Sequence, residues 1–291
     1  MTTRFPPLLL VLGVGEIASA VAHRLFLARF RVVMTEGRGD LDLRRYTSFS
    51  RVFTEGQCEV EGVSARVAVV TETLSLIERG SLPVLSVDAR SAVDALNPEI
   101  VVDCREEPRL SETPEMIENI HVGDVSLIIA AKSSFSMGDD CDMAVLVGRG
   151  HNMGRPVTSA YGKISDSDQT VQGDAVPDPV LAVPARSVGM FSPMKNIGDV
   201  VVAGDVVGKV DGNPLETASP GVVKGILEAG TAVGPGITAF EIDTRGMAEY
   251  VFAISDQGRA VSGTVLEMAV SWSVDVGALA VPVPYPPFER G

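Results

Sequence analysis

The sequence predicts an α/β protein in which a parallel-sheet domain is followed by a small all-β domain. Three observations support this fold class. Apolar segments of strand length alternate with amphipathic helical segments in the first half, a glycine-rich turn joins the first strand to the first helix, and a valine-rich unit is repeated in the second half. Alternating strands and helices are typical of a parallel sheet with helices on its faces.

The first strand, turn and helix are predicted over residues 8–29. Leu8–Leu12 is a continuous apolar run, and the segment Gly13-Val14-Gly15-Glu16-Ile17-Ala18 interrupts it. Apolar residues then recur at helical spacing. The turn has the Gly-x-Gly-x-x-Ala form of the dinucleotide-binding fingerprint in its strand–turn–helix context. We therefore predict a Rossmann-like domain over residues 1–162.

Each residue of the fingerprint has a physical role. Gly13 permits the tight turn, Gly15 lets a phosphate approach the backbone, and Glu36 ends the second predicted strand near where an acid binds a ribose hydroxyl. Glu16 opposes this interpretation, because its charge in the first helical turn would repel a phosphate. The alternative is a nucleotide-free domain in which the small residues serve packing alone.

The elements that follow are predicted from periodicity and from turn residues. A hairpin turn is expected at Glu61–Gly62, within residues 58–70. Helices are predicted over 41–53, 72–79, 91–96 and 255–270, and strands over 31–36, 83–87, 100–102, 126–131 and 143–147. Because ligands bind at the carboxyl ends of parallel strands, Asp103 and Cys104 are expected to lie near any site in this domain.

A glycine-rich, basic loop follows the last of these strands, at residues 148–155 of an otherwise acidic chain. Arginines such as Arg149 and Arg155 suit bidentate recognition of a carboxylate or phosphate. His151 suits proton transfer near neutral pH, and we predict it as the catalytic residue. We expect the loop to form one composite cleft with the Gly13 turn and Asp103. The alternative is structural: the arginines pair with the protein's own acids and the histidine binds a loop carbonyl.

The second half of the chain has a different composition. Residues 163–180 are polar, acidic and proline-containing, which predicts a linker. Residues 181–246 repeat short valine-rich strands and tight turns, and resemble the barrel-sandwich fold of biotinyl and lipoyl carrier domains. In those domains the modified lysine projects from a hairpin, which here is Asp211-Gly212-Asn213-Pro214. The lysines at 195, 209 and 224 lie elsewhere, so the resemblance implies a scaffold without covalent biotin or lipoate.

Residues 247–291 are predicted to contain the closing helix and a proline-rich tail at 281–287. The tail either packs along the surface or forms a contact in a homo-oligomer, and the sequence leaves both open.

Composition narrows the classes of partner. The formal net charge of −14 argues against nucleic acid and anionic membranes, because phosphate binding needs a basic surface. No stretch approaches the roughly 20 apolar residues of a membrane helix. The three cysteines, Cys58, Cys104 and Cys141, form no Cys-x-x-Cys pair, so we expect a cytoplasmic protein without a disulfide framework.

Two of these cysteines, Cys104 and Cys141, suit either a selenium or sulfur relay or simple burial as small apolar residues. One alternative is a metal site formed by His151 with the aspartates at 139, 140 and 142. Acidic loops are mostly solvated, however, and we predict no metal site.

Several motifs together resemble the YqeB-type accessory proteins of selenium-dependent molybdenum hydroxylase systems. They are Gly13-x-Gly15, Ala22-His23-Arg24-Leu25, Arg31 to Glu36, Arg44-Arg45, Glu61-Gly62-Val63 and Arg149-Gly150-His151-x-x-Gly154-Arg155. The resemblance implies a role in enzyme maturation, with either a nucleotide-bearing cofactor or a selenium or sulfur species. With Arg44 included, the predicted cofactor-binding residues are Gly13, Gly15, Glu36, Arg44, Asp103, Arg149 and Arg155.

The sequence departs from the family pattern beside the predicted site. The family usually has Gly-Pro-Gly-Phe where this chain has Lys132-Ser133-Ser134-Phe135. Asp142 stands where a histidine is common, and Leu146-Val147 stands where Glu-Thr is common.

Three function classes are consistent with the sequence. The first is an accessory protein that acts with a molybdenum hydroxylase or its other maturation proteins. The second is an NAD(P)-dependent oxidoreductase, favoured by Gly13, Gly15 and Glu36 and opposed by Glu16. The third is a non-catalytic scaffold whose barrel docks a partner enzyme.

Overall fold

The computed structural model describes residues 6–35, 42–105, 120–158 and 178–279. Within these ranges, nine strands form one large sheet and eight further strands form two four-stranded sheets. No helix among the described residues is long and apolar enough to cross a membrane.

The large sheet has the strand order β3-β4-β5-β2-β1-β6-β7-β8-β9. Its strands are β1 Leu8–Leu12, β2 Arg31–Thr35, β3 Gln57–Val60, β4 Val63–Ala68, β5 Leu82–Leu85, β6 Ile100–Asp103, β7 Leu127–Ala130, β8 Met143–Val145 and β9 Pro156–Val157. Neighbouring strands run parallel from β4 to β8, whereas the pairs β3–β4 and β8–β9 are antiparallel. In the central register, Leu10 lies opposite Val33 on one side and Val101 on the other.

Helices cover both faces of this sheet. They are α1 Glu16–Leu27, α2 Val52–Glu55, α3 Thr73–Glu78, α4 Ala89–Leu96 and α5 Asp256–Asp275. Helices α1 and α5 share a core with Leu9 and Val11, while α3 and α4 pack with Leu10 and Leu12. Because both faces are buried, β1 is apolar at every position instead of alternating.

The C-terminal strands form two antiparallel sheets around a separate core. One sheet is ordered β10-β17-β15-β12 and the other β14-β13-β11-β16. The strands are β10 Val180–Pro184, β11 Gly189–Pro193, β12 Val200–Val201, β13 Val206–Val210, β14 Asn213–Glu216, β15 Gly221–Ile226, β16 Ala232–Val233 and β17 Thr238–Asp243. Phe191 and Phe240 are fully buried in this core.

The predicted fold class, a parallel-sheet domain followed by a small barrel, is wrong. The first sheet is mixed, because antiparallel pairs close both of its edges. Its helical layer is completed by α5 from the far end of the chain, which packs along α1. The C-terminal half contributes two antiparallel sheets. The observed architecture is a mixed α/β fold with several sheets, and not a Rossmann-like parallel-sheet domain followed by a biotinyl/lipoyl-like barrel. Periodicity shows whether a segment is a strand, but not the direction of its neighbour.

The local predictions had mixed outcomes. The hairpin turn at Glu61–Gly62 is confirmed, with both residues at positive φ between β3 and β4. The helix predicted over 41–53 is wrong from Asp42 to Ser48, where the chain turns irregularly. The carboxylate of Asp42 accepts hydrogen bonds from Ser48 and Ser50, and such side-chain bonds compete with helix formation. Glu36, most of the predicted linker at 163–180 and the tail at 281–287 lie outside the described residues.

Candidate functional site

The site is built where β1 and β6 end beside the start of α1. Gly13 has a φ of 103°, and its N–H donates to the carbonyl oxygen of Thr35 at 2.9 Å. A Cβ at this position would lie 3.3 Å from the carbonyl oxygen of Cys104. The left-handed backbone and the close passage of the β6 end therefore both require glycine.

Gly15 has a different environment from Gly13. It is the N-cap of α1 in an extended conformation, and no side chain caps the helix there. A Cβ at Gly15 would have no atom of the described residues within 4 Å. The amide end of α1 therefore begins beside open space, as a helix N-terminus that binds an anion must.

Glu16 is directed into the protein. Its side chain is paired with Arg44, and one of its carboxylate oxygens accepts a hydrogen bond from the backbone N–H of Ser255 at 3.1 Å. Burial by itself would raise the pKa of Glu16, but the positive charges of Arg44 and Lys224, with these hydrogen bonds, outweigh burial and lower it. The charge expected to repel a phosphate is thus compensated inside the protein.

Arg44 connects the large sheet to the C-terminal sheets. Besides Glu16, its guanidinium binds Glu241 of β17 through Nε at 2.6 Å and Nη2 at 3.1 Å. Sequence analysis predicted Arg44 as a cofactor-binding residue. The structure shows its donors bound to two carboxylates, so its direct role is to hold those charges in place.

Lys224 lies in the same buried cluster. It occupies the irregular position of β15 between Val223 and Gly225, where the register with β17 shifts. Only 1% of the residue is exposed, and within the described part of the chain Nζ has no hydrogen-bond partner. Burial lowers the pKa of Lys224, and the negative charges of Glu16, Asp243 and Glu241 oppose that effect.

Asp103 ends β6 as predicted, and its carboxylate is fully engaged. It accepts bonds from Arg105 Nε at 2.9 Å and Nη2 at 2.8 Å, and from Lys132 Nζ at 2.9 Å. Burial would raise the pKa of Asp103, but Arg105 and Lys132 outweigh it and the pKa is lowered. Lys132 is one of the departures from the family pattern. Here it stabilises the acid that ends β6.

The glycine-rich loop packs against α5. Arg149 is bound 3.2 Å from both Asp178 and Asp256, in agreement with the structural alternative for this arginine. Arg155 bonds Asn152 at 3.3 Å. His151 is exposed at the tip of the loop.

The predicted site residues are therefore only partly brought together. The carboxyl ends of β1 and β6 bring together Gly13, Gly15 and Asp103. Arg44 is joined to this group through Glu16. Arg149 reaches this region through Asp256 at the start of α5, next to the Ser255 that binds Glu16. Glu36 lies outside the described residues.

The sequence did not predict that C-terminal residues complete this buried ionic cluster. The Glu16–Arg44 pair is bonded to Glu241 and Ser255, and the charge of Lys224 lies close to it. A signal was present in the segment Gly-Val-Val-Lys224-Gly-Ile, where a single charge interrupts an apolar strand. Buried charges are seldom tolerated without partners, so such a lysine indicates a buried ionic cluster.

The three cysteines are free, buried thiols. Burial raises the pKa of Cys58 to about 11 and of Cys141 to about 12, and raises that of Cys104 still more clearly. Because the thiolate is the reactive form, these values favour packing roles over a selenium or sulfur relay.

A known protein is similar to this chain in amino-acid sequence over most of the chain's length. The chain is 32% identical over 263 residues to a protein of Escherichia coli K-12 named uncharacterized protein YqeB. The aligned region covers 89% of this chain and 47% of that protein, so the chain spans about half the length of the curated relative it matches. This similarity supports the YqeB-type resemblance. No protein-family model matches the chain.

Solved structures with partial similarity are described as succinylglutamate desuccinylase or aspartoacylase proteins. The one from Rhodobacter sphaeroides is 15% identical, with 76% of this chain and 61% of that chain covered and a TM-score of 0.21. One from Shewanella amazonensis is 12% identical, with 82% and 91% covered and a TM-score of 0.24. At these TM-scores the similarity transfers no mechanism to this chain.

Proposed function

We propose that this protein is an accessory protein of a molybdenum hydroxylase system and binds an anionic, nucleotide-bearing cofactor at the Gly13–Gly15 turn. The observation that carries the proposal is that the first turn of α1 is open at Gly15 and that its acid is neutralised by an arginine. Gly15 faces open space, and the Glu16 carboxylate is held away by Arg44. Backbone N–H groups at a helix start, with their positive dipole end, bind phosphate when no acid competes.

The association with molybdenum hydroxylases comes from the family resemblance of the sequence motifs. The similarity to YqeB supports the family resemblance, and the role in maturation is our proposal. In this proposal, Gly13 shapes the turn, the amides after Gly15 bind the phosphate, and the exposed His151 donates a hydrogen bond or a proton to the bound molecule.

The alternative proposal is an NAD(P)-dependent oxidoreductase, which the Gly-x-Gly-x-x-Ala segment favours. Calorimetric titration with NAD, NADP and ATP separates the two. Hydride-transfer chemistry requires binding of NAD or NADP, so the absence of heat with both removes the oxidoreductase. Mass spectrometry of molecules released from the natively purified protein identifies the cofactor of the accessory protein directly.

The binding site is tested with Gly15→Val. A Cβ at this position meets no atom of the described residues within 4 Å, and a branched side chain there blocks the approach of a phosphate to the amides. We expect ligand binding to be lost, with only a small decrease in melting temperature because valine is a poorer N-cap than glycine. Unchanged binding would disprove the site. Gly234→Ala is a matched control, because the nearest atom to a Cβ there is Val188 Cγ2 at 4.0 Å.

The cellular role is tested by deleting the gene and assaying the molybdenum hydroxylase. We expect enzyme that is synthesised but inactive or lacking a complete cofactor. Full hydroxylase activity in the deletion strain would disprove the role in maturation. In the complemented strain, His151→Ala and Arg155→Ala are expected to lower hydroxylase activity without loss of the folded accessory protein.

A further inference from the structure

A small cavity lies at the junction of the large sheet and the C-terminal sheets. It has a volume of about 170 Å³. Its lining comes from three parts of the chain, the turn after β2, the short helical segment that includes α2, and the loop after β15. The lining residues are Asp42, Arg45, Ser50, Arg51, Phe53, Thr54 and Glu228. Clefts at such junctions are common places for ligands to bind, and this one is lined mainly by polar and charged residues.

We propose that this cavity, the Arg45–Arg51 pocket, is a binding site for a phosphate-type oxyanion, either free phosphate or the phosphate group of a nucleotide. The site is separate from the Gly13–Gly15 turn and does not depend on the function proposed above. Two arginines line this one small cavity, and arginine offers the planar, multiple donors that recognise phosphate oxygens.

Arg51 carries the first part of the argument. Its Nε is buried and has no hydrogen-bond partner among the residues that the structure describes. Its other contacts are long, at 3.6 Å from Nη1 to Glu55 and 3.3 Å from Nη2 to the carbonyl oxygen of Glu59. The guanidinium carbon lies 4.9 Å from the centre of the Tyr46 ring, which fixes its orientation. A buried donor without an acceptor is rare in folded proteins and calls for an explanation.

Arg45 contacts the C-terminal part of the chain. One of its terminal nitrogens donates to the carbonyl oxygen of Ile226. Its Nε lies 3.4 Å from Glu228, whose side chain is 47% exposed. An exposed ion pair of this length contributes little stability, so an anion can displace Glu228 at small cost.

The second acid of the pocket does not compete for the arginines. The Asp42 carboxylate accepts hydrogen bonds from Ser48, Ser50 and the backbone N–H of Arg44. Burial raises the pKa of Asp42 despite these bonds. Of the two acidic lining residues, Glu228 is therefore the one whose removal should strengthen binding of an anion in the cavity.

The test is calorimetric titration of the whole chain with inorganic phosphate, with chloride used to hold the ionic strength constant. We expect saturable binding in the millimolar range or tighter, at least tenfold weaker binding in Arg51→Gln and Arg45→Gln, and stronger binding in Glu228→Gln. Arg66→Gln is the control, because Arg66 is exposed and contacts Gln57 on the adjacent strand. Absence of saturable binding, or equal binding in wild type and both arginine variants, would overturn the proposal.

Two further measurements define the source of the oxyanion and the independence of the site. Tighter binding of a nucleoside monophosphate than of phosphate, lost in the same arginine variants, assigns a nucleotide, while equal or weaker binding assigns free phosphate. Gly15→Val should keep phosphate binding at the Arg45–Arg51 pocket. Loss of phosphate binding in a folded Gly15→Val protein, with binding retained in Arg51→Gln, would place the phosphate at the helix start and refute the pocket.

Discussion

Arg44 Nε donates to the carboxylate of Glu241 at 2.6 Å while its Nη1 binds Glu16, so one guanidinium holds two acids from opposite parts of the chain. The side chain of Glu16 is 5% exposed and that of Glu241 is 13% exposed. This arrangement differs from a surface ion pair, because neither carboxylate can recover its hydration without local unfolding.

Replacing Arg44 should therefore be costly. Arg44→Met leaves two buried carboxylates without their partner, and we expect a loss of about 3–5 kcal/mol in the free energy of unfolding. Urea denaturation of wild type and variant measures this difference. Arg66→Met, at an exposed position, should change the free energy by less than about 1 kcal/mol. A similarly small effect for Arg44→Met would show that the cluster is solvated.

The two glycines of the first turn should respond differently to alanine. Gly13→Ala places a Cβ 3.3 Å from the Cys104 carbonyl oxygen at a φ of 103°, and should destabilise the protein by about 1–3 kcal/mol. Gly15→Ala meets no atom of the described residues within 4 Å, but alanine is a poorer N-cap than glycine, so the loss should stay below about 1 kcal/mol. Thermal unfolding of both variants checks this contrast, and equal losses would contradict the geometry.

The packing of the turn after β2 on β15 gives a third prediction. A Cβ at Gly225 would lie 2.8 Å from Leu43 Cβ and 3.0 Å from the Leu43 carbonyl carbon. Gly225→Ala should push this turn away from β15 and cost about 1–3 kcal/mol. The control Gly234→Ala should be nearly neutral. If Gly225→Ala matched its control in chemical denaturation, the two segments would not be in contact.

Asp103 predicts a specific dependence of stability on pH. Its pKa is lowered below the usual value of 3.8 in the folded protein. The stabilisation is therefore complete above the unfolded pKa and is lost as the pH falls through the lower folded value. Asp103→Asn should be less stable than wild type at neutral pH, and the difference should shrink in acid. Free energies of unfolding measured across the acid range check this, with Asp94→Asn as a charge control; a difference independent of pH would contradict it.

The sequence predicted local structure much better than it predicted the assembly. Apolar runs such as Leu8–Leu12 identify buried strands directly, and Glu61–Gly62 identifies its own hairpin. By contrast, the neighbour of α1 is α5, from the far end of the chain, and no local pattern encodes that pairing. The Glu16–Arg44–Glu241 cluster was missed for the same reason. Glu16 was interpreted from its neighbours in sequence, whereas its charge is compensated by residues distant in sequence.

The docking of α5 on α1 has a consequence for synthesis and refolding. Ser255 and Glu16 are hydrogen bonded although 239 residues separate them. During translation, apolar surface on α1 and on strand residues such as Leu9 stays exposed until α5 has left the ribosome and can cover it. Contacts of such high sequence separation slow folding and lengthen the exposure of apolar surface. This chain is therefore expected to refold slowly after dilution from denaturant and to need chaperone protection while it is being made.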